Sequence, residues 1–310
     1  MGQNITGKIK LPPKLQVGMV VRDVEQVKRL YSSAFGIGPW LVHEHDAETK
    51  AYDGKRYKYK VKAAFADLGP AQLELFQLTE GRSPVHSDWL DKGYEGVHHL
   101  SFFVDAGQRR QFPLALAEMG WEVYQEREQN VFVNTAKTGG VFFEFVSAPM
   151  PEPPPRPPGT GKIKLPPRVQ LGIVVKGVDK VAAFYESAFG IGPWEKRLGH
   201  ELNARSRGRE WAFKTQVAFA DFAGVQFELF TITEGCSPVH SLFLDKGREG
   251  IHHLGFFVTE EERHEAKKRL AELGIGIFQE GEVPGRGKYV FFDMVEQGGL
   301  LFEFVARIAG

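Results

Sequence analysis

The sequence predicts an α+β fold made of two tandem domains, and two observations carry the prediction. The first is an internal repeat, because residues 79–100 match residues 233–254 at 17 of 22 positions. The second is that each copy contains two successive modules, in which one strand pattern and one helix pattern precede further strand patterns. A chain of 310 residues is also long enough for about two domains with their own cores. Four strand–helix–strands modules are therefore expected, two in each domain.

A proline-rich segment separates the two copies. Seven of the ten residues at 149–158 are proline, which favours an extended polyproline spacer. We therefore predict a first domain at residues 1–148, a linker at 149–160 and a second domain at 161–310. Each copy also begins with the same arm, GKIKLPP, at residues 7–13 and 161–167. The paired prolines make this arm extended rather than helical.

The first module of each copy opens with a strand and a helix. Residues 15–21 are rich in β-branched side chains and form the first predicted strand. Asp23 suits the N-cap of a helix that runs to about Phe35, and Gly36 is a natural residue to end it. Trp40 follows a Gly-Pro pair and is expected either to cover a cleft or to pack, as is Trp194 in the second copy. The clearest later strand is residues 71–78.

The second module repeats this order. A strand is predicted at residues 97–104, followed by a helix that runs to about Glu118 and stops at Gly120. The last strand is residues 141–146. Between the modules the segment SPVHS is interpreted as a loop. Its His86, and His240 in the second copy, are expected to line a cleft mouth or to cap backbone groups.

Charge and cysteine content exclude several classes of partner. The net charge is zero, so nothing indicates a nucleic acid or an anionic membrane. No apolar run approaches the roughly 20 residues that a membrane span needs. The lone Cys236 forms no internal disulfide and indicates a reducing, cytoplasmic compartment. The first copy has Arg82 at the corresponding position. Because only one copy carries the cysteine, Cys236 is not expected to be a nucleophile.

Four polar side chains interrupt the apolar strands of each copy at corresponding positions. They are Gln16, Glu74, His99 and Glu144, and then Gln170, Glu228, His253 and Glu303. An ionised carboxylate among bulky apolar residues is costly to bury unless it is paired or binds a metal. No Lys or Arg occupies these strand segments, and oxygen and imidazole donors together suit Zn²⁺, Mn²⁺, Co²⁺ or Ni²⁺. The alternative, that each Glu faces water and each His is structural, stays open at this point.

The longest matching motifs resemble one superfamily. The run SPVHSxxLDKGxEGxHHL and the run FGIGPW are similar to those of methylmalonyl-CoA epimerase and its relatives in the vicinal oxygen chelate superfamily, which also contains glyoxalases, bleomycin-resistance proteins and dioxygenases. The resemblance implies that the two βαβββ modules of each domain form a curved mixed sheet around a cleft. It also implies that the four polar residues of each copy bind one divalent metal. The order Gln, Glu, His, Glu resembles the eukaryotic type of glyoxalase I, whereas epimerases of this type usually begin with His. The resemblance places His98 and His252 on the other face of the strand.

The implied activity is that of a metal-dependent isomerase or lyase acting on a small oxygenated substrate. A carboxylate would remove the proton α to a metal-chelated carbonyl, and the candidate bases are Glu74, Glu144, Glu228 and Glu303. No motif names a coenzyme A or a glutathione carrier. A metal-free small-molecule-binding protein is the alternative. An extradiol-type dioxygenase is less favoured, because that iron site uses two His and one carboxylate.

The tandem arrangement leaves one question of architecture. The ligands of one metal could all come from one domain, or Gln16 and Glu74 could combine with His253 and Glu303. We favour the arrangement within one domain, because the epimerase-like motifs cover more of the chain. The chain would then form a pseudo-dimer by itself, and it would exist as a monomer or a homodimer.

Overall fold

The computed structural model describes residues 7–155, 157 and 160–307, and each copy of the repeat forms one eight-stranded barrel. The predicted domain ends at residues 1–6 and 308–310, and part of the linker, lie outside the described residues. The first copy contains β1 (Leu15–Val20), α1 (Val24–Phe35), β2 (Leu41–Ala51), β3 (Arg56–Asp67), β4 (Ala71–Gly81), α2 (Pro84–Asp91), β5 (Gly96–Phe103), α3 (Ala106–Ala117), β6 (Val123–Glu126), β7 (Asn130–Val133), α4 (Ala136–Gly139) and β8 (Phe142–Val146). The second copy contains β9 (Val169–Val174), α5 (Val178–Phe189), β10 (Glu195–Ser206), β11 (Arg209–Phe222), β12 (Val225–Gly235), α6 (Pro238–Asp245), β13 (Gly250–Val258), α7 (Glu260–Ala271), β14 (Ile277–Val283), β15 (Gly287–Phe292), α8 (Val295–Gly298) and β16 (Leu301–Arg307).

The sheet of each domain is mixed and curves until it closes. Its strand order in the first domain is β1-β4-β3-β2-β6-β7-β8-β5, and in the second domain it is β10-β11-β12-β9-β13-β16-β15-β14. The pairs β1–β4 and β5–β8 are parallel, while β1 and β5 join the two modules as antiparallel neighbours. On the other side of the first barrel the two modules meet at β2 and β6. This contact is short, because the two strands pair only at Lys50–Glu126 and Ala51–Gln125. The α+β fold of two βαβββ modules around a cleft is therefore confirmed.

Helix ends follow the local sequence signals. The Asp23 side chain accepts a hydrogen bond from the backbone N–H of Gln26 at the start of α1, and Gly36 ends the helix with a φ of 61°. That backbone conformation is left-handed, which glycine adopts without steric cost. Val27 and Tyr31 lie on the buried face of this helix. None of the described helices is long and apolar enough to cross a membrane.

The prediction of a loop at SPVHS is wrong, because the segment begins a helix in both copies. α2 starts at Pro84 and α6 starts at Pro238. Proline is well tolerated in a first helical turn, where its missing N–H would have no intrahelical partner. His86 and His240 consequently lie inside these helices and are buried. Trp40 and Trp194 pack against the core. Of the two roles expected for them, covering a cleft or packing, the structure shows packing.

The first helix of each domain packs against the sheet of the other domain. Phe35 on α1 stacks on Phe302 of β16 with 4.3 Å between ring centroids, and Phe189 on α5 stacks on Phe143 of β8 at 4.1 Å. One hydrophobic cluster of buried residues therefore runs through both domains. The chain forms its own pseudo-dimer.

The repeated arms are exchanged between the two domains. The backbone N–H groups of Lys8 and Ile9 donate to the carbonyls of Ser187 and Ala188, at 2.8 and 2.9 Å. The second arm repeats this contact on α1, since Ile163 N donates to Ala34 O at 2.8 Å. Carbonyls in the last turn of a helix lack intrahelical partners, so each arm satisfies groups that would otherwise be unpaired. This explains why GKIKLPP is part of the repeat.

Candidate metal centres

Three of the four predicted side chains of each copy meet inside one barrel. In the first domain Nε2 of His99 lies 3.3 Å from Oε2 of Glu74 and 3.7 Å from Oε2 of Glu144. In the second domain the corresponding distances from His253 are 3.4 Å to Glu228 and 3.3 Å to Glu303. The candidate ligand atoms of each trio all lie within 4.8 Å of one another. Each trio comes from a single domain. Glu74 therefore does not combine with His253 and Glu303 of the other domain.

The fourth predicted residue, the glutamine, lies on the same wall of the barrel. Nε2 of Gln170 donates to Oε1 of Gln226 at 2.8 Å, and Gln16 makes the same contact with Gln72 at 2.6 Å. The amide N–H is thus used, and Oε1 of Gln170 lies over Gly255, where a Cβ would come within 2.6 Å of it. Gly255 is the register partner of Glu303. The amide oxygen therefore faces the region where the carboxylates meet.

A glycine in the first strand of each domain makes room for the histidine ring. A Cβ on Gly18 would lie 2.0 Å from Nε2 of His99, and a Cβ on Gly172 would lie 1.9 Å from Cε1 of His253. No real side chain tolerates such contacts, so these strands pass under the imidazoles only because they carry glycine there. This role of the glycines was not predicted from the sequence, although a glycine follows each glutamine by two residues.

The first histidine of each pair orients the second, which is the candidate ligand. Strand alternation would place His252 on the opposite face, but a register shift between Ile251 and His253 brings the two Nδ1 atoms to 3.1 Å. Nε2 of His252 lies 2.9 Å from the carbonyl oxygen of Val239, so that nitrogen carries the proton and its Nδ1 accepts. Nδ1 of His253 therefore donates, and its Nε2 faces the carboxylates, where it carries a proton in the charged ring and would offer its lone pair to a cation. His98 and His99 repeat the Nδ1 contact at 3.1 Å.

Burial and neighbouring charges shift the pKa values of the site. Burial alone would lower the pKa of His253, but its contacts with Glu228 and Glu303 raise it to about 9. The pKa of His99 is raised in the same way by Glu74 and Glu144. Burial raises the pKa of the Glu303 carboxyl. Carboxylates that share a confined site with an imidazole hold a proton where a cation would otherwise balance their charge.

The residues fit a divalent cation. Nε2 of His253 is buried, and its partners are the two carboxylates of its own trio, at 3.3 and 3.4 Å. Two carboxylates, an imidazole and an amide oxygen are donors that Zn²⁺, Mn²⁺, Co²⁺ and Ni²⁺ accept. A histidine that binds a metal usually donates its other ring N–H to a neighbouring group, as Nδ1 of His253 does to His252. The His99 centre has the same donor set.

The two centres differ in how their last carboxylate is held. Glu144 accepts hydrogen bonds from Ser101 Oγ at 2.5 Å and from Asn130 Nδ2 at 2.6 Å. Gly255 and Tyr289 stand at these two positions in the second domain. Gly255 has no side chain that could donate a hydrogen bond, and the Tyr289 hydroxyl has no hydrogen-bond partner among the described residues. Glu303 is therefore free of both constraints.

Access to the centres also differs. In the second barrel a cavity of about 500 Å³ reaches Gln170, Glu228, His253 and Glu303, and it continues past Gln226. In the first barrel the counterpart of Gln226 is Gln72, whose Nε2 donates to the carbonyl oxygen of Pro151 at 2.6 Å. The linker thus begins against the same end of the first barrel where the second barrel has its cavity.

Comparison with known proteins identifies the family and the fold of the chain. A sequence model of the Glyoxalase/Bleomycin resistance protein/Dioxygenase superfamily matches residues 15–139 and 169–292. A mutant of 4-hydroxymandelate synthase from Streptomyces coelicolor has the same fold at 15% identity, with a TM-score of 0.59 over 96% of this chain and 94% of that one. No curated protein matches the sequence.

Two further solved structures overlap with lower scores. Methylmalonyl-CoA epimerase from Mycobacterium tuberculosis is 20% identical, with a TM-score of 0.35 over 45% of this chain and 87% of that one. The Mn(II)-bound glyoxalase from Novosphingobium aromaticivorans is 15% identical, with a TM-score of 0.46 over 96% of this chain and 83% of that one.

The family match covers most of both copies and lies on the two barrels that carry the candidate centres. The chain therefore belongs to the Glyoxalase/Bleomycin resistance protein/Dioxygenase superfamily, the vicinal oxygen chelate superfamily, as a tandem pair of its domains.

Proposed function

We propose that the chain is a divalent-metal-dependent isomerase or lyase that removes a proton α to a carbonyl of a small oxygenated substrate. One observation carries the proposal. Glu228, His253 and Glu303 converge in a cavity large enough for a small molecule, and the buried histidine Nε2 lies between the two carboxylates at 3.4 and 3.3 Å. Sites of this kind, with perturbed pKa values in a concave pocket, are typical of catalytic centres.

The metal would be held in the second domain by Gln170, Glu228, His253 and Glu303, and in the first domain by Gln16, Glu74, His99 and Glu144. Once bound, Zn²⁺, Mn²⁺, Co²⁺ or Ni²⁺ supplies a Lewis acid that polarises the carbonyl oxygen of the substrate.

Glu303 is the preferred general base. Burial raises the pKa of its carboxyl, and a base whose pKa lies closer to neutral accepts a proton more efficiently. Burial also raises the pKa of Glu144, which occupies the same place in the first domain, but Ser101 and Asn130 both donate to this carboxylate and favour its ionised form. We therefore assign the faster proton transfer to the second centre.

A second carboxylate gives the site two directions of proton transfer. Glu228 lies on β12 and Glu303 lies on β16, and the strands that carry Gln170 and His253 separate them in the sheet. A substrate between them can lose a proton to one carboxylate and regain it from the other. This arrangement suits an epimerisation as well as an isomerisation or elimination. Glu74 and Glu144 have the same relation in the first domain.

The first test is the metal content of protein purified without added metal or chelator. We expect about two equivalents per chain, and loss of both metal and turnover in the double variant Glu144→Gln with Glu303→Gln. Glu80→Gln with Glu234→Gln is the matched control, because these two glutamates also lie on the barrel strands but are exposed. Retention of full activity on α-hydroxycarbonyl or thioester substrates in the first variant would contradict the mechanism.

Two alternatives are separated by simple observations. A metal-free binding protein would take up none of the four metals and would still bind a ligand tightly. A dioxygenase would lose turnover without oxygen, but its iron needs two imidazoles and one carboxylate, whereas one imidazole meets the carboxylates here. A cytoplasmic location, with Cys236 as a free thiol, and a monomeric or homodimeric state complete the proposal.

A further inference from the structure

Four arginines line the cavity that contains the second centre. They are Arg168, Arg197, Arg286 and Arg307. Two of them lie at the ends of strands that carry candidate ligands, since Arg168 directly precedes β9, two residues from Gln170, and Arg307 ends β16, four residues from Glu303. Side chains two or four positions apart on a strand point to the same side. These arginines therefore face the same space as the metal centre, nearer to the mouth.

Their guanidinium groups converge. The Arg307 guanidinium lies 4.0 Å from the ring centroid of Phe257, and the Arg168 guanidinium lies 5.4 Å from the same ring. Arg197 lies 5.0 Å from the ring of Phe219, which lines the same cavity. Partial burial, and then the charges of Arg168 and Arg197, lower the pKa of Arg307. Arg307 thus lies close enough to Arg168 and to Arg197 for both charges to act on it.

Acidic partners neutralise only part of this charge. Arg168 pairs with Asp221 at 3.0 Å, and Arg197 pairs with Glu195 at 2.8 Å. No carboxylate among the described residues lies within 4.0 Å of the side-chain nitrogens of Arg286 or Arg307. The cavity also contains four carboxylates, but Glu228 and Glu303 lie at the metal centre, so at the mouth four arginines face only Glu195 and Asp221. The resulting excess of two positive charges at the mouth, next to a ring face, is an arrangement that attracts a carboxylate or phosphate.

The distance to the metal centre sets the length of the ligand. At about 3.3 Å per residue, Arg168 lies about 7 Å along the strand from Gln170, and Arg307 lies about 13 Å from Glu303. We propose that the second cavity binds a substrate with an anionic end group, a carboxylate or a phosphate, held by Arg168, Arg197 and Arg307, while its chelating oxygens lie several bonds away at Glu228, His253 and Glu303. The position of the chelating oxygens rests on the proposed function, whereas the anion site does not.

The first domain lacks this site. Lys14, His43 and Ala148 stand at the positions of Arg168, Arg197 and Arg307. The Pro151 carbonyl also occupies that end of the barrel through its hydrogen bond from Gln72. The substrate class is thus a property of the second domain, and the duplication has produced two unequal halves.

The test is calorimetric titration of the full chain, freed of metal with a chelator and desalted, at low ionic strength. The two probes are inorganic pyrophosphate and succinate. We expect one site per chain for at least one probe, and an affinity lowered about tenfold or more in Arg307→Gln, because a charge-assisted bond to the anion is lost. Arg307→Lys should restore part of it. Lys14→Gln, the same kind of change in the first domain, should leave it unchanged.

The outcomes separate the sources of the anion. Binding of pyrophosphate alone assigns a phosphate end group, and binding of succinate alone assigns a carboxylate. The proposal is overturned if neither probe binds, or if affinity is the same in wild type, Arg307→Gln and Arg197→Gln, with thermal unfolding confirming that the variants fold. Metal uptake is measured separately on the same samples. Anion binding without metal uptake would retain this site and reject the proposed mechanism, and the reverse result would do the opposite.

Discussion

Replacing Gly172 with alanine should remove one of the two metal centres and leave the other intact. The added Cβ would lie 1.9 Å from Cε1 and 2.0 Å from Nε2 of His253. Gly172 does not have a left-handed φ, so alanine introduces no backbone strain and acts only through this contact. The experiment therefore isolates the position of one imidazole.

The size of the disturbance follows from the distances. Ordinary van der Waals contact begins near 3.4 Å, so the ring must retreat by about 1.5 Å from a Cβ at 1.9 Å. The ring of Phe291 lies at 5.0 Å between centroids, and the contact with His252 at 3.1 Å fixes the other ring nitrogen. Metal–ligand distances tolerate only about 0.2 Å, so a shift of this size breaks the centre. Forcing the extra carbon into the packed site also costs about 1–3 kcal/mol.

The assay is metal content per chain by mass spectrometry, together with metal affinity and thermal unfolding. We expect about two equivalents in the wild type and about one in Gly172→Ala. The matched control is Gly276→Ala, because a Cβ at Gly276 meets nothing within 4 Å and its φ is ordinary. That control should keep both metals. A Gly172→Ala protein that retained both metals at wild-type affinity would refute the assignment of His253 as a ligand.

Three further outcomes follow from the same geometry. His252→Gln should lower the metal affinity of the second centre about 10–100-fold, because the partner that orients His253 is altered, and unchanged affinity in a competition with a chromophoric chelator would contradict this. The pKa of His253 rises from 6.5 to about 9 on folding, so its stabilising contribution is complete below pH 6.5 and is lost as the pH rises through 9. The melting temperature of metal-free protein should therefore fall over this range, and excess Zn²⁺ should reverse the fall, whereas a flat profile would speak against the shift. Tyr31→Phe and Tyr185→Phe each remove a hydrogen bond to a carbonyl of the other domain, at 2.7 Å to Gly298 and 2.8 Å to Gly139. Each should lower the free energy of unfolding by about 1–3 kcal/mol in denaturant titrations, and an unchanged value would show that this contact does not hold the domains together.

Local patterns predicted the elements well where the local signal was the physical cause. The N-cap at Asp23 and the stop at Gly36 are both found, because a cap bond and a left-handed turn depend only on neighbouring residues. The SPVHS segment was misinterpreted, because Ser-Pro begins a helix as readily as a turn. The histidine at its centre is therefore buried on a helix beside the metal centre, and in the second domain His240 lines the cavity.

The candidate ligands were predictable as a set but not as a geometry. Polar residues at fixed positions in apolar strands identified Gln170, Glu228, His253 and Glu303, because burial of unpaired charge is costly wherever the strands lie. Their convergence depends on strand order and register, which no single strand encodes. The space that Gly172 leaves for the His253 ring depends on the pairing of β9 with β13.

The sequence alone determined the duplication, the two modules in each copy and the residue types of the candidate centres, because repetition, periodicity and the cost of buried charge are local properties. Only the tertiary structure decided which domain completes each trio, how the arms are exchanged and how the two halves differ. Glu144 gains two donors while Glu303 has neither of them, and arginines collect only at the second cavity. These differences arise from side chains on separate strands that meet only when the barrel closes.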